Sequence, residues 1–388
     1  MKIYYWSPFF TNIATIKAVI RSAESLVKFY KKEKIDVSLI NSIGEWDKFE
    51  KQINKKVNII QLNKIKLLRY LPKNGFLKSR ISYLIIILFS FFPLLNILRK
   101  EKPEFIIMHL ITSLPMILNN LFNFKTKFIL RISGYPKLNF FRKFFWEKSS
   151  KNLFSITCPT KDLLSDLREK KIFNVNKIFY LQDAIINIQD YLNKNKENQN
   201  EYENKINGAK NYFLSVGRLT KQKNYSYLIS EFSFFLKKNK KEILLIIGDG
   251  EEKKNLQELI LKKNLSSNIF LLGKIDNVYP FMKKARALIL SSLWEDPGFV
   301  IVEAAFSNLF VISSDCPNGP KEFLENGNAG YLFESNKKNM LSEKIKTFID
   351  EEKSLKKLKI RAKKNSSNYT LFRHYLSLKK ILSNENQV

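Results

Sequence analysis

The sequence predicts two successive doubly wound α/β domains facing across a cleft, and three observations carry that prediction. Short apolar runs alternate with stretches of helical periodicity from the first residues onward. The alternation stops at a polar, Asn-, Lys- and Glu-rich segment, 187–210, and restarts at Tyr212. The chain has 388 residues, 45% of them hydrophobic, enough for two domains of ordinary size with a core in each. The expected division is 1–186, a linker or insertion at 187–210, a second domain at 211–365, and a final helix at 366–388 returning toward the first domain.

In the first half, Lys2–Trp6 reads as a strand ended by Ser7-Pro8, and 11–30 carries apolar residues at helical spacing. With the further strands at 37–40 and 57–60, the opening forty residues read as strand, loop, helix and strand rather than as a leader. Next comes 81–98, uncharged throughout, of borderline membrane-spanning length, interrupted by Pro93 and flanked by Lys78, Arg80, Arg99 and Lys100. A strand at 105–109 follows at once. A span there would put two parts of one sheet on opposite sides of a bilayer, so the expectation is a buried helix partly able to dip into a membrane interface. Strands at 128–132, 155–158 and 178–181 complete this half. Between them, 137–146 is basic and aromatic together, a pattern that suits either anionic lipid or an ordinary core.

The second half restarts with strands at 212–216, 242–247, 269–272, 287–292, 311–314 and 330–333. Helices are expected at 224–237, 251–263, 278–284, from Phe299 onward, and at 321–325, with a tail helix at 371–382. Ligands of such sheets gather beyond the carboxyl ends of the strands, so the loops there carry the argument. Gly217-Arg218-Leu219-Thr220-Lys221-Gln222-Lys223-Asn224 brings Arg218 and Lys223 to a helix start, which makes a diphosphate cradle. Gly248-Asp249-Gly250 is a tight turn that lets a planar ring approach the backbone. Trp294-Glu295-Asp296-Pro297-Gly298-Phe299-Val300-Ile301-Val302-Glu303 sets two carboxylates around a turn into a helix, where amides and the helix dipole favour an anion. Carboxylates suit sugar hydroxyls, because each accepts strong charge-assisted hydrogen bonds. The plainer reading of those acids is that they favour the helix N-terminus.

Composition narrows the partners. The net charge is +31, which points to nucleic acid, an anionic membrane surface or phosphorylated substrates, or to compositional bias in an Asn-, Ile- and Phe-rich chain. No nucleic-acid recognition module is legible and the cations form no single stripe, so nucleic acid is not expected. Cys158 and Cys316 are the only cysteines and His109 and His374 the only histidines, so neither a disulfide framework nor a zinc site is expected. A reducing, cytosolic setting fits.

Taken in order, Gly217-Arg218-Leu219 with Lys223-Asn224, then Gly248-Asp249-Gly250, then Ser291, Glu295, Gly298 and Glu303-Ala304, the motifs of about 212–335 resemble a retaining glycosyltransferase of family 4 with the GT-B fold. The resemblance implies transfer of a sugar from a nucleotide sugar, with UDP favoured, with retention and with no metal or other cofactor. By position, Arg218 and Lys223 would hold the diphosphate, Glu303 the ribose hydroxyls and Glu295 the donor sugar ring. The backbone near Ile275 would meet the base, while Gly217, Gly248, Gly298, Phe299 and Val300 would complete the donor site. Glu295, Arg218 and Lys223 are the expected catalytic residues.

The acceptor side departs from the family pattern. Where relatives commonly have a Gly-Gly loop, this chain has Phe9-Phe10-Thr11-Asn12-Ile13-Ala14-Thr15, and where they often have a histidine, it has Arg131-Ile132-Ser133-Gly134. Arg131 and Ser133 are thus candidates there. His109 ends a strand and either lines the cleft or serves the core. The expected acceptor is a lipid-linked or polysaccharide glycan, of lipopolysaccharide or capsule type, at the cytosolic face of an anionic membrane. An epimerase-type or non-catalytic nucleotide-sugar-binding protein of the same fold is the alternative.

Overall fold

The computed structural model describes residues 1–10, 14–31, 34–72, 76–197 and 211–383. The chain falls into two compact units, Met1–Ile185 with Leu371–Val388, and Ile186–Thr370. Each is built on one all-parallel sheet.

The first unit runs β1 (Lys2–Trp6), α1 (Ala14–Phe29), β2 (Asp36–Asn41), β3 (Asn58–Gln61), α2 (Phe76–Glu101), β4 (Phe105–Met108), α3 (Ser113–Leu121), β5 (Lys127–Arg131), α4 (Phe140–Ser150), β6 (Ser155–Cys158), α5 (Lys161–Glu169) and β7 (Ile178–Tyr180). Its strand order is β3-β2-β1-β4-β5-β6-β7. Central strands such as Phe105-Ile106-Ile107-Met108 are apolar without alternation because helices cover both faces. Right-handed crossovers place α2 through α5 on one face of this sheet and α1 on the other. Accordingly Leu94, Leu98, Leu114, Leu118, Leu163 and Leu167 share one core cluster, while Ile16, Val19 and Leu26 pack in another. The chain's last helix, Leu371–Leu382, joins the α1 side, with Phe372 against Phe29 at 5.1 Å and Ser22 Oγ 2.8 Å from His374 Nε2.

The second unit runs α6 (Ile188–Lys194), β8 (Phe213–Val216), α7 (Tyr225–Leu236), β9 (Leu244–Ile247), α8 (Lys253–Lys262), β10 (Ile269–Gly273), α9 (Tyr279–Lys284), β11 (Ala287–Leu290), α10 (Phe299–Phe306), β12 (Phe310–Ser314), α11 (Pro320–Phe323), β13 (Tyr331–Phe333), α12 (Met340–Glu351) and α13 (Lys356–Ser366). Its strand order, β10-β9-β8-β11-β12-β13, repeats the logic of the first. In both sheets the order turns back between two neighbours, β1 and β4 in one, β8 and β11 in the other. At such a point the loops after the two strands diverge and leave room for a ligand.

Three differences from the sequence reading have physical causes. The segment 187–210 begins with a helix rather than a linker, capped by Asn187, whose side chain accepts from Asp190 N; residues 198–210 lie outside the described residues. The helix expected to be buried at 81–98 is longer and only half covered, with Ile81, Leu84, Leu88 and Phe92 between 53% and 70% exposed. Its apolar residues surround the helix, so composition alone did not show which side faces the core. The basic-aromatic stretch divides as α4: Phe145 and Trp146 pack on the core, while Phe140, Phe141 and Phe144 face outward. The loop at 9–15 falls partly on 11–13, outside the described residues.

Candidate functional site

The second unit's site is assembled from the loops that leave β8, β9, β10, β11 and β12 at their carboxyl ends. The first three are joined through backbone bonds. Gly217 N donates to Ile247 O at 3.0 Å, Leu219 N to Asp249 O at 3.0 Å, and Gly248 N to Gly273 O at 2.8 Å. Glycine is required for this approach: a Cβ on Gly248 would stand 1.8 Å from the carbonyl oxygen of Gly217, and one on Gly250 2.3 Å from that of Leu219. Ile275 follows directly in the same cluster, next to the exposed Lys274–Asp276 pair.

The loop after β11 is tied to the loop after β8. Leu293 N donates to Gln222 O at 2.8 Å, Gln222 Nε2 to Trp294 O at 2.9 Å, and Ser291 Oγ to Lys223 O at 2.8 Å. Between them, Lys223 Nζ meets Glu295 Oε1 at 2.5 Å, and Ser292 Oγ donates to the same oxygen. Glu295 is 3% exposed, so its charge is held by a partner rather than by water. Two of the three expected catalytic residues therefore meet at the point where the strand order reverses. Arg218, the third, is exposed on the loop that carries Lys223.

Gly298 caps α10 at φ 87°, a left-handed conformation that turns the chain from the Glu295 loop into the helix. Helix geometry leaves the amides of Phe299 and Val300 without a carbonyl from the preceding turn. Glu303 is 8% exposed one turn further on, and Ser307 Oγ donates to its carbonyl at 2.9 Å.

The sequence shows the Pro317-Asn318-Gly319-Pro320 turn after the next strand but not that it holds this loop. Asn318, fully buried, donates through Nδ2 to Glu295 O and to Asp296 Oδ1, both at 3.0 Å. Glu295 N in turn donates to Pro317 O at 3.2 Å, and a Cβ on Gly319 would stand 2.1 Å from Pro297 O. The signal was present as Ser291-Ser292 and Ser313-Ser314, small polar pairs ending two neighbouring strands; Ser314 Oγ donates to Ser292 O at 2.7 Å. Burial raises the Asp296 carboxyl to about 6, with the Glu295 charge adding to the rise and the Asn318 bond and Lys223 opposing it. The Cys316 thiol is likewise pushed up to about 12 by burial.

In the first unit, Arg131 is not offered to a ligand. Its guanidinium is buried, paired with Asp183 Oδ1 at 2.6 Å and donating to Leu181 O at 2.6 Å. This corrects its expected place on the acceptor side: β5 ends with the side chain pointing inward, where Asp183 neutralises it. Ser133 is half-buried just beyond. His109 follows β4 where that sheet's order reverses, and its amide donates to Trp6 O at 2.9 Å. Its buried Nδ1 has no hydrogen-bond partner among the described residues, and burial, helped by the Arg131 charge, holds the ring's pKa well below the usual histidine value.

Residues 196–365 match the family model of glycosyl transferases group 1. An uncharacterized glycosyltransferase of Methanocaldococcus jannaschii is 34% identical over 250 residues, 60% of this chain and 61% of that relative, so the match spans less than two thirds of its length. The N-acetylgalactosamine-N,N'-diacetylbacillosaminyl-diphospho-undecaprenol 4-alpha-N-acetylgalactosaminyltransferase of Campylobacter jejuni is 28% identical over 255 residues, 64% of this chain and 67% of that one. The solved structure of Anabaena HepE in complex with UDP superposes with a TM-score of 0.75 at 14% identity, covering 99% of this chain and 100% of that one, a likeness of fold. The chain has the two Rossmann-like sheets of the GT-B fold, and its residues 196–365 resemble the glycosyl transferases group 1.

Proposed function

We propose that this protein is a retaining, metal-independent hexosyltransferase of family 4, moving a sugar from a nucleotide sugar, with UDP favoured, to a lipid-linked or polysaccharide glycan at the cytosolic membrane face. The observation that carries the reading is the Lys223–Glu295 pair at the reversal of the strand order, in loops packed by Gly217 and Gly248. The names of the relatives support the substrate class: one acts on a diphospho-undecaprenol-linked glycan, and a protein of the same fold was solved with UDP.

The chemistry asked of the residues is limited. Breaking a glycosyl–phosphate bond puts negative charge on the leaving diphosphate. Arg218 and Lys223 stabilise that charge from fixed positions, together with the amides that open α10. Glu295 accepts from hydroxyls of the donor sugar and is kept in place by Ser292 and by Asn318, which holds its backbone. Glu303 accepts from the ribose, and the backbone around Ile275 lies along the base.

Calorimetry with UDP, GDP and their sugars tests the donor half, on the intact protein and on Glu303→Ala, with and without chelator. Micromolar binding of one nucleotide, weakened about tenfold or more by the substitution (~1.4 kcal/mol) and indifferent to chelator, is the expected result. A folded protein that binds none of them overturns the reading. The anomeric configuration of the product, followed by NMR, decides retention.

A further inference from the structure

The outer side of α2 has the wrong chemistry for water. Ser82 and Ser90, two of its polar residues, are turned inward, Ser82 Oγ donating to Pro72 O at 2.7 Å and Ser90 Oγ standing 2.5 Å from Ser42 Oγ. The outward positions are Ile81, Leu84, Leu88 and Phe92, spaced three or four apart and therefore in one row about 16 Å long. A helix facing solvent carries its polar residues outward. This one does the reverse over the whole row.

The row has a neighbour of the same character. Packing of α2 on α3 and of α3 on α4 sets the three helices side by side on one face of the first sheet. Asn120 Nδ2 fixes the α3–α4 contact by donating to Ser149 Oγ at 2.8 Å, and Tyr83 OH lies 2.5 Å from Ser113 Oγ between α2 and α3. On α4, Phe140, Phe141 and Phe144 are 61% to 80% exposed, and Leu121 at the end of α3 is exposed as well.

Cations surround this apolar surface. Lys78, Arg80, Arg99 and Lys100 stand at the two ends of α2 against Glu101, whose carboxylate pairs with Lys2. Lys137, Arg142, Lys143 and Lys148 stand on and before α4 against Glu147 alone. An apolar stripe rimmed by lysine and arginine matches the interface of a bilayer with anionic headgroups, where rings and aliphatic groups enter the acyl boundary and cations stay at headgroup level.

The helix is long and apolar enough to cross a membrane by length and composition. Its place in the fold argues otherwise. β3 before it and β4 after it are strands of one sheet, and its inner side, Ile86, Leu94 and Leu98, is buried against that unit. We propose that α2 lies flat in the interface of an anionic membrane, with Phe140, Phe141 and Phe144 of α4 inserted beside it, so that one face of the first unit is a lipid-docking surface. The inference rests on the proposed function only for the presence of a membrane; the donor loops belong to the other unit and are read out separately.

Cosedimentation with vesicles tests it, using phosphatidylglycerol–phosphatidylcholine mixtures and pure phosphatidylcholine. The full chain is compared with Phe140→Ser/Phe141→Ser/Phe144→Ser and with Leu84→Ser/Leu88→Ser/Phe92→Ser. All replaced side chains are exposed, and circular dichroism together with UDP titration monitors folding of both units. Expected are binding to anionic vesicles at least tenfold tighter than to neutral ones, loosening in high salt, and at least a tenfold loss in each triple variant with UDP binding unchanged. Equal vesicle binding by the variants, or none by the folded wild type, overturns the surface while leaving the donor site standing. A dimer in vesicle-free solution that both variants dissociate overturns it in favour of a second copy. Resistance to alkaline carbonate extraction overturns it in favour of a span. Absent UDP binding in wild type that still docks would instead count against the transfer reading and support the surface.

Discussion

Lys223 on the loop after β8 and Glu295 on the loop after β11 form an ion pair at 2.5 Å, with side chains only 13% and 4% exposed. Each charge answers the other. Removing one partner strands the other in a poorly solvated site, at roughly 3 kcal/mol. Lys223→Ala is therefore expected to destabilise the protein by about that much, and Lys223→Ala/Glu295→Gln to recover most of the loss. Denaturant titration of the two single variants and the double gives the coupling; additive losses would mean the pair contributes nothing beyond its members.

The same pair sets a ligand prediction. A diphosphate must compete with Glu295 for the Lys223 ammonium. Glu295→Gln frees the cation, so UDP is expected to bind about fivefold more tightly (~1 kcal/mol), while transfer slows because the sugar loses its charged acceptor. Calorimetry and a product assay on one preparation separate the effects. Weaker UDP binding in this variant would show that Glu295 orders the site more than it occupies the lysine.

The site's glycines are not equivalent. At Gly248 an added methyl would meet a backbone oxygen at 1.8 Å, which nothing short of separating the two loops relieves. At Gly273, with φ 77°, a Cβ meets nothing within 4 Å, and only the left-handed backbone strain remains. Gly248→Ala is expected to abolish nucleotide binding or folding of the second unit, and Gly273→Ala to cost about 1 kcal/mol with binding retained. Thermal melts with and without UDP check the contrast, and equal effects would contradict it.

Much of this was legible before any coordinates. The parallel sheets announced themselves because strands covered on both faces are written in runs such as Leu244-Leu245-Ile246-Ile247. The gathering of the loops after β8, β9 and β11 was legible because glycines and charges recur where strands end. What stayed hidden depends on direction. Arg131 and Arg218 are alike in sequence, yet one side chain enters the core to meet Asp183 and the other faces outward. Asn318 lies 23 residues from Glu295, and no local pattern says that they touch. The outward side of α2 was hidden for a related reason, since apolar residues all round a helix give no face to choose. The helix α12 was there to be read: Leu341, Ile345 and Phe348 are buried at helical spacing.

Asp296 supplies a pH test of the loop. Its folded pKa is about 6, above the ordinary 3.8. A carboxyl raised in this way contributes stability that is fully present below the unfolded value and lost as pH rises through about 6. Asp296→Asn keeps the oxygen that accepts from Asn318 and removes the charge. The melting temperature of the variant relative to wild type is expected to rise from pH 4 to pH 7 and level off above. A difference that does not change with pH would mean that the carboxyl is solvated.

The opposite dependence belongs to the first unit. His374, on the C-terminal helix, is buried between Ser22 Oγ and the carbonyl of Gln182, at 2.8 and 2.6 Å. Burial lowers its pKa from 6.5 to about 4, with the Gln182 bond opposing and the Arg131 charge adding to the fall. A histidine depressed in the folded state binds its proton more readily when unfolded. Its contribution is whole above about pH 6.5 and is lost as pH falls through about 4, roughly 3 kcal/mol in all. His109, half-buried nearby and depressed in the same direction, adds to the loss. Wild type is therefore expected to lose stability steeply between pH 6.5 and 4, and His374→Gln, less stable at neutral pH, to show a shallower slope over that window. Urea unfolding at three pH values within it measures both slopes. Parallel slopes would show that His374 takes its proton without leaving its place between α1 and Gln182.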